Sequence, residues 1–391
     1  QAGTLTREFV WATPAGKHVR VRSCRLVSLE HRHVVAMTYE VTLLDHSAPM
    51  AISSQVINRQ DVRPSDELAE QRPSDPRVST ALPRQVLNGQ AAELAGRRIL
   101  LGYQTTNSRM TLGVAVDHVI DAACPYQAVG SADANTGELV VTVDAPPGVP
   151  IRITKYATYQ ASRSIPVPEL VARCGRTLDR MLRDGFDELL TSQRAHLDRF
   201  WDRADVRVQA QVDPVRLQRA IRWNLYQVAQ ASWRAEGVGI PAKGQTGPGY
   251  EGHYFWDTEI YVLPLLSYTQ PRIARNLLRF RHSMLDRARE RARELSQRGA
   301  LFPWRTINGE EASANFQAGT AQYHINADIA YAIRRYTNVR GNLGLLGEVG
   351  AEILVETARL WADLGFYGTD GRFHLHGVTG PDEYTTVVND N

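Results

Sequence analysis

Residues 151–183 read IRITKYATYQASRSIPVPELVARCGRTLDRMLR, and the hydrophobic period changes inside that stretch. Ile151 to Tyr159 is short, rich in Ile, Thr and Tyr, and reads as a strand, whereas Pro168 to Arg183 carries its apolar residues at helical spacing. The chain is predicted to be β on one side of this seam and α on the other.

Upstream of the seam, Thr4 to Trp11, Val19 to Leu29, Val34 to Leu44, Met50 to Ile57, Ile99 to Gln104, Leu112 to Ile120 and Leu139 to Val143 are also strand-like, bounded by Gly, Pro and Asp. Many short strands with no helix between them predict a sandwich or barrel-like β domain. Gln60 to Gly96 is polar and holds Pro64, Pro73, Pro76 and Pro83, so a long surface loop is expected there.

Downstream, Phe186 to Trp201 continues the helical spacing as a linker. Asp213-Pro214 is a helix start signal, with Leu217, Ile221, Leu225 and Val228 forming one stripe of the helix that follows. Further helices are expected over Asp257 to Tyr268, Pro271 to Ser296, Gly319 to Tyr336 and Leu343 to Leu364, and a tight hairpin turn at Asp370-Gly371. Three long, Gly- and aromatic-rich connections, Ile240 to Trp256, Gly299 to Gln317 and Gly365 to Asn391, alternate with plainer links. This alternation predicts a ring of paired helices, an α/α toroid, with function on the face that carries the long loops.

Composition narrows the function classes. The 391 residues suffice for more than one core, and 45 basic against 42 acidic residues leave a net charge of +3. No long-range field or basic-aromatic patch favours nucleic acid. Cys24, Cys124 and Cys174 fit neither a metal spacing nor a disulfide framework, so a reducing, cytoplasmic setting is expected. No run approaches the roughly 18 apolar residues of a membrane span.

The candidate chemistry lies in the long loops. Gly249-Tyr250-Glu251-Gly252-His253-Tyr254-Phe255-Trp256-Asp257-Thr258-Glu259 mixes aromatics with acids, as sugar recognition requires: an indole covers the apolar face of a pyranose while carboxylates accept from hydroxyls. Asp257 reads equally as a helix N-cap, and Trp256 as core. Phe302-Pro303-Trp304-Arg305 and Glu310-Glu311 form a second such loop, in which Arg305 and Glu310 are candidate substrate contacts; Arg305 reads equally as a structural partner for one of the two acids, and the acids as solvated side chains. His324 is a helical His that is either a satisfied core residue or a ligand to substrate. His253, His324, His374 and His376 fall into no metal-binding pattern, and no phosphate loop or dinucleotide fingerprint is present. Near the end, Gly380-Pro381-Asp382-Glu383-Tyr384 sets a carboxylic acid directly after a Gly-Pro turn, which makes Glu383 a candidate proton donor.

Taken together, Pro241-Ala242-Lys243-Gly244, Gly249 to Glu259, Phe302 to Asp328 and His376 to Asn391 resemble glycoside hydrolase family 65, the inverting disaccharide phosphorylases that act on trehalose, maltose, kojibiose and related α-glucosides. The resemblance implies a multidomain β + α fold: an N-terminally incomplete β-supersandwich (1–162), a helical linker (163–208) and the N-terminal part of an (α/α)6 catalytic barrel (209–391). It makes Glu383 the general acid and places Trp256 and Asp257 on the non-reducing glucose. It also implies a homodimer and no cofactor, with inorganic phosphate as co-substrate. The family's phosphate pocket and a Lys-Gln sugar contact are expected beyond Asn391, so that these residues alone are inactive, poorly soluble and completed by a C-terminal remainder.

Inversion needs an acid on the leaving oxygen and a nucleophile on the opposite face. Phosphate is already nucleophilic, whereas water needs a second carboxylate as base. The residues themselves leave both open; the resemblance, to members that mostly phosphorolyse, makes phosphorolysis the favoured expectation, an acid-trehalase-like hydrolase the alternative, and a non-catalytic oligosaccharide-binding toroid the third reading. By the same resemblance, the loop Asn308 to His324 looks more like that of trehalose-acting members of the family than of maltose-acting ones.

Overall fold

Strands β1 (Thr4–Ala12), β2 (His18–Val27), β3 (Val34–Leu43), β4 (Ala48–Ile57), β5 (Leu87–Ala95), β6 (Arg98–Thr105), β7 (Thr111–Ala122), β8 (Tyr126–Ala132), β9 (Thr136–Ala145) and β10 (Pro150–Ser162) build the first half of the chain. They appear in a computed structural model that describes residues 2–59, 85–233, 235–245, 249–313, 316–341, 343–382 and 384–390. Seven strands form one antiparallel sheet in the order β1-β2-β3-β10-β7-β6-β5, and three form a second in the order β4-β9-β8. Alternation dictates what lies between them. Val19, Val21, Val41, Leu43, Ile151 and Ile153 of the larger sheet pack with Ile52, Leu139, Val141 and Val143 of the smaller.

All eight expected strands form, and two more join them. Leu87–Ala95, assigned to a loop from its sequence, is the edge strand β5, with a register shift between Gly89 and Ala91. An edge strand needs only backbone partners on one side, so LNGQAAELA can pair without β-branched residues. The rest of the proposed 60–96 loop up to residue 84 lies outside the described residues. Tyr126–Ala132, which no pattern singled out, edges the small sheet in the same way.

Helix α1 (Val167–Ala204) covers the other face of the large sheet, where Cys174, Leu178, Met181 and Leu189 pack on Leu26, Val34, Ala36, Ala115 and Tyr156. Two glycines permit its close approach: a Cβ on Gly113 would sit 2.7 Å from the Leu170 backbone, and one on Gly102 2.3 Å from Val167 Cγ1. The helix breaks at Gly185 (φ 79°, ψ 173°), between the two expected helical runs.

The chain divides into two compact units, the second beginning at Arg203. Its helices are α2 (Pro214–Ser232), α3 (Leu263–Thr269), α4 (Pro271–His282), α5 (Leu285–Glu294), α6 (His324–Arg340) and α7 (Ala351–Leu364). Asp213 caps α2 by accepting from the Arg216 amide at 3.1 Å. The expected stripe on α2 is buried only toward its end: Leu217 is exposed, Ile221 and Leu225 are half-buried, and Val228 packs on the core. The single helix expected over Pro271 to Ser296 is two, because Ser283 Oγ donates to the Phe280 carbonyl and the chain turns at Ser283-Met284. This turn buries Met284, Leu285, Ala288 and Ala292. One core of Leu266, Leu277, Leu278, Phe302, Ile325, Ile329 and Ile353 joins these helices.

Candidate active site

The Gly249 to Glu259 run folds as a short 3-10 turn (Gly249–Gly252), a crossing segment and a π-turn (Thr258–Val262) that leads into α3. Tyr250 and Glu251 both sit at positive φ, 60° and 53°, a conformation with a steric cost for side-chain-bearing residues. Tyr254 pairs with Thr306 in both directions across an isolated β-bridge, at 2.7 and 3.2 Å, so this run and the Phe302 to Glu311 loop form one structure. Phe255 is buried edge-on between Tyr250 and Trp304.

Asp257 is exposed and makes no capping bond. The cap reading is therefore corrected: the amides of Glu259 and Ile260 both donate to the Trp256 carbonyl, so the first turn begins one residue earlier and the Asp257 carboxylate is free of that duty. Asp257 lines a cleft of about 450 Å³ together with Thr258, Lys243, Asn224 and Gln227. Asn224 and Gln227 drew no attention in the sequence, although their three-residue spacing on α2 puts both on one face.

Trp256 is half-buried and meets His324 edge-on, with ring centroids 5.1 Å apart and planes at 84°. His324 Nδ1 lies 2.7 Å from Asp328 Oδ2, and its Nε2 lies 3.0 Å from Gln322 Oε1. The i,i+4 pair His324/Asp328 was the available sequence signal for that dyad. Next to Gln322, the Ala321 carbonyl accepts from the Thr379 amide at 2.9 Å, which ties down the root of the terminal motif.

That motif is a hairpin. Val378 and Val388 exchange two backbone bonds at 2.9 and 2.8 Å, and the Gly380 amide donates to Thr385 at 2.8 Å. Asp382 uses both oxygens within the turn, accepting from the Tyr384 and Thr385 amides and from Thr385 Oγ1. Hydrogen bonding to the carboxylate holds its pKa below the usual range. Of the Asp382-Glu383 pair, Asp382 is thus committed to structure; Glu383 lies outside the described residues. At the base, Asp390 Oδ1 accepts from the Leu375 amide, and His374 stands between Asp390 (Nδ1, 2.7 Å) and Asp370 (Nε2, 3.2 Å). Its two carboxylate partners, Asp390 foremost, raise the His374 pKa. His374, His376 and Asp390 bring possible metal-ligating atoms within 4.8 Å of one another, but both ring nitrogens of His374 already face carboxylates.

Two expected substrate contacts have other surroundings. Arg305 is buried, with Nη2 3.1 Å from Glu251 Oε2. Its backbone amide, with that of Trp304, donates to Glu311, whose carboxylate also meets Arg291 at 2.8 Å. Glu310 is exposed, and its ion partner is Arg287 at 3.7 Å. Neither is brought against the Trp256–His324 pair among the described contacts. In the β unit, a larger cleft of about 670 Å³ is lined by residues such as Trp11, Met37, Met50 and Lys155, with no carboxylate among its lining.

Residues 1–200 match the glycosyl hydrolase family 65 N-terminal domain, and residues 222–391 match the family 65 central catalytic domain. An uncharacterized glycosyl hydrolase of Mycobacterium tuberculosis is 44% identical over 391 residues, covering 100% of this chain and 48% of that protein. The alpha,alpha-trehalose phosphorylase of Thermoanaerobacter brockii is 37% identical over 392 residues, covering 100% of this chain and 49% of that protein. A solved structure described as a putative kojibiose phosphorylase from human microbiome superposes with a TM-score of 0.83 at 24% identity, over 99% of this chain and 48% of that one. The chain spans about half the length of the curated relatives it matches. No helix among the described residues is long and apolar enough to cross a membrane. With a β-sandwich followed by helices whose loops gather Trp256, His324 and the terminal hairpin, the chain belongs to glycosyl hydrolase family 65.

Proposed function

We propose that the protein containing this chain cleaves an α-linked glucose disaccharide, trehalose before maltose or kojibiose, by inverting phosphorolysis, with Glu383 as general acid. Trp256 and Asp257 hold the retained glucose, and His324 orients Trp256. Under this reading the helices from 209 onward belong to an (α/α)6 barrel, with 1–162 a β-supersandwich and 163–208 its linker, and the enzyme works as a homodimer. Trehalose is favoured because the Thermoanaerobacter brockii enzyme, similar along the whole chain, is a trehalose phosphorylase.

The observation that carries the reading is the contact path from Trp256 through His324 and Gln322 to the Ala321 carbonyl, which holds Thr379 at the root of the hairpin. This path ties the aromatic platform to Thr379, at the root of the hairpin. Glu383→Gln keeps shape and hydrogen bonding but removes the transferable proton, so kcat should fall by about 10²-fold or more while disaccharide binding persists. A variant within tenfold of wild type would remove Glu383 from that role.

A further inference from the structure

Glu259 and Arg281 form an ion pair out of reach of solvent, their side chains 2% and 3% exposed. The contact is fork-to-fork: Arg281 Nε donates to Glu259 Oε1 at 2.8 Å, and Nη2 donates to Oε2 at 3.0 Å. The same Nη2 also donates to the Phe255 carbonyl at 3.3 Å. One guanidinium near the end of α4 therefore grips both ends of the five-residue segment Phe255 to Glu259. Phe255, Thr258 and Glu259 are buried, while Trp256 is half-buried against His324 and Asp257 is exposed. The segment enters a π-turn, a geometry less favourable than a regular helix that persists where its surroundings hold it.

We propose that Arg281 and Glu259 are positioning residues for the sugar-binding pair Trp256-Asp257: they touch no substrate but fix the backbone from which both side chains project. This rests on the reading that Trp256 and Asp257 hold the sugar. Stability alone is a poor reason for such a pair, since well-packed apolar residues of similar volume often replace a buried ion pair without loss. The fork matters more than the charge, because a lysine cannot meet both carboxylate oxygens and the Phe255 carbonyl together.

The test uses the full-length protein. Arg281→Lys keeps the charge and loses the fork; the double variant Glu259→Leu/Arg281→Met removes both charges and keeps the volume. The double variant is expected to melt near wild type yet to lose about 10²-fold in kcat/KM for trehalose, the scale of a roughly 1 Å misplacement. Arg281→Lys should share the loss, with KM for trehalose raised. A folded double variant with wild-type kcat/KM would overturn the proposal. If wild type itself does not act on trehalose, the functional reading fails instead, and a crystal structure of the double variant decides the inference. Displacement of the Trp256-Asp257 backbone supports it, and an unmoved segment overturns it.

Discussion

Asp257 is legible in the sequence as an acid beside an indole, but its freedom is not. Whether it caps the helix or faces a cleft depends on which residue starts the turn, and that is set by the Arg281–Glu259 grip from 22 residues away. The same limit applies to Arg305 and Glu310. Their loop is recognisable by its aromatics, yet which of its charges turns inward depends on Glu251 and Arg291 across the fold. Asp257→Ala should impair turnover of every disaccharide that shares the retained glucose, by steady-state kinetics on trehalose, maltose and kojibiose. A loss confined to one of them would move Asp257 to the second sugar site. His374 makes a separate prediction at this scale. Two carboxylates face its two ring nitrogens, and only the imidazolium can donate to both. Its pKa is raised above the ordinary 6.5, so the tie at the hairpin base is fully present below 6.5 and is lost as pH rises through the raised value. A ring titration followed by NMR should show this upward shift, and Asp390→Asn should reduce it.

Elements were legible wherever one face is buried. β10 and α1 were delimited closely because alternation gives way to helical spacing around a polar Ser-Arg-Ser turn, and Gly185 marks the break in the helix. β5 and β8 escaped because an edge strand satisfies its backbone on one side and needs no apolar alternation. The Ser283 break escaped because it preserves a continuous apolar spacing on either side. His118 on β7 is 3% exposed, held by Ser54 Oγ at 2.8 Å and the Arg97 carbonyl at 3.2 Å, and burial pushes its pKa down to about 4. The folded state thus binds this proton less readily than the unfolded chain does. Stability should fall as pH drops below 6.5 and level off near 4, by up to about 3 kcal/mol. Denaturant unfolding of the β unit across that window should lose this acid-side slope in His118→Gln; an unchanged slope would place its cause elsewhere.

Across the whole molecule, the seam near residue 160 was readable from period alone, since sheets and helices bury surface at different spacings. The expected ring of paired helices has only loop alternation behind it in the sequence, because helix-to-helix contacts are made by residues far apart in the chain. The central claim is the proposed chemistry, in which Glu383 works with phosphate and not with an activated water. The most direct measurement is to supply trehalose to the full-length protein with and without inorganic phosphate and to follow glucose and glucose 1-phosphate by NMR. The account predicts equal amounts of glucose and β-glucose 1-phosphate, with turnover that depends on phosphate. Two glucose molecules released per trehalose in phosphate-free buffer would contradict it and make the protein a hydrolase.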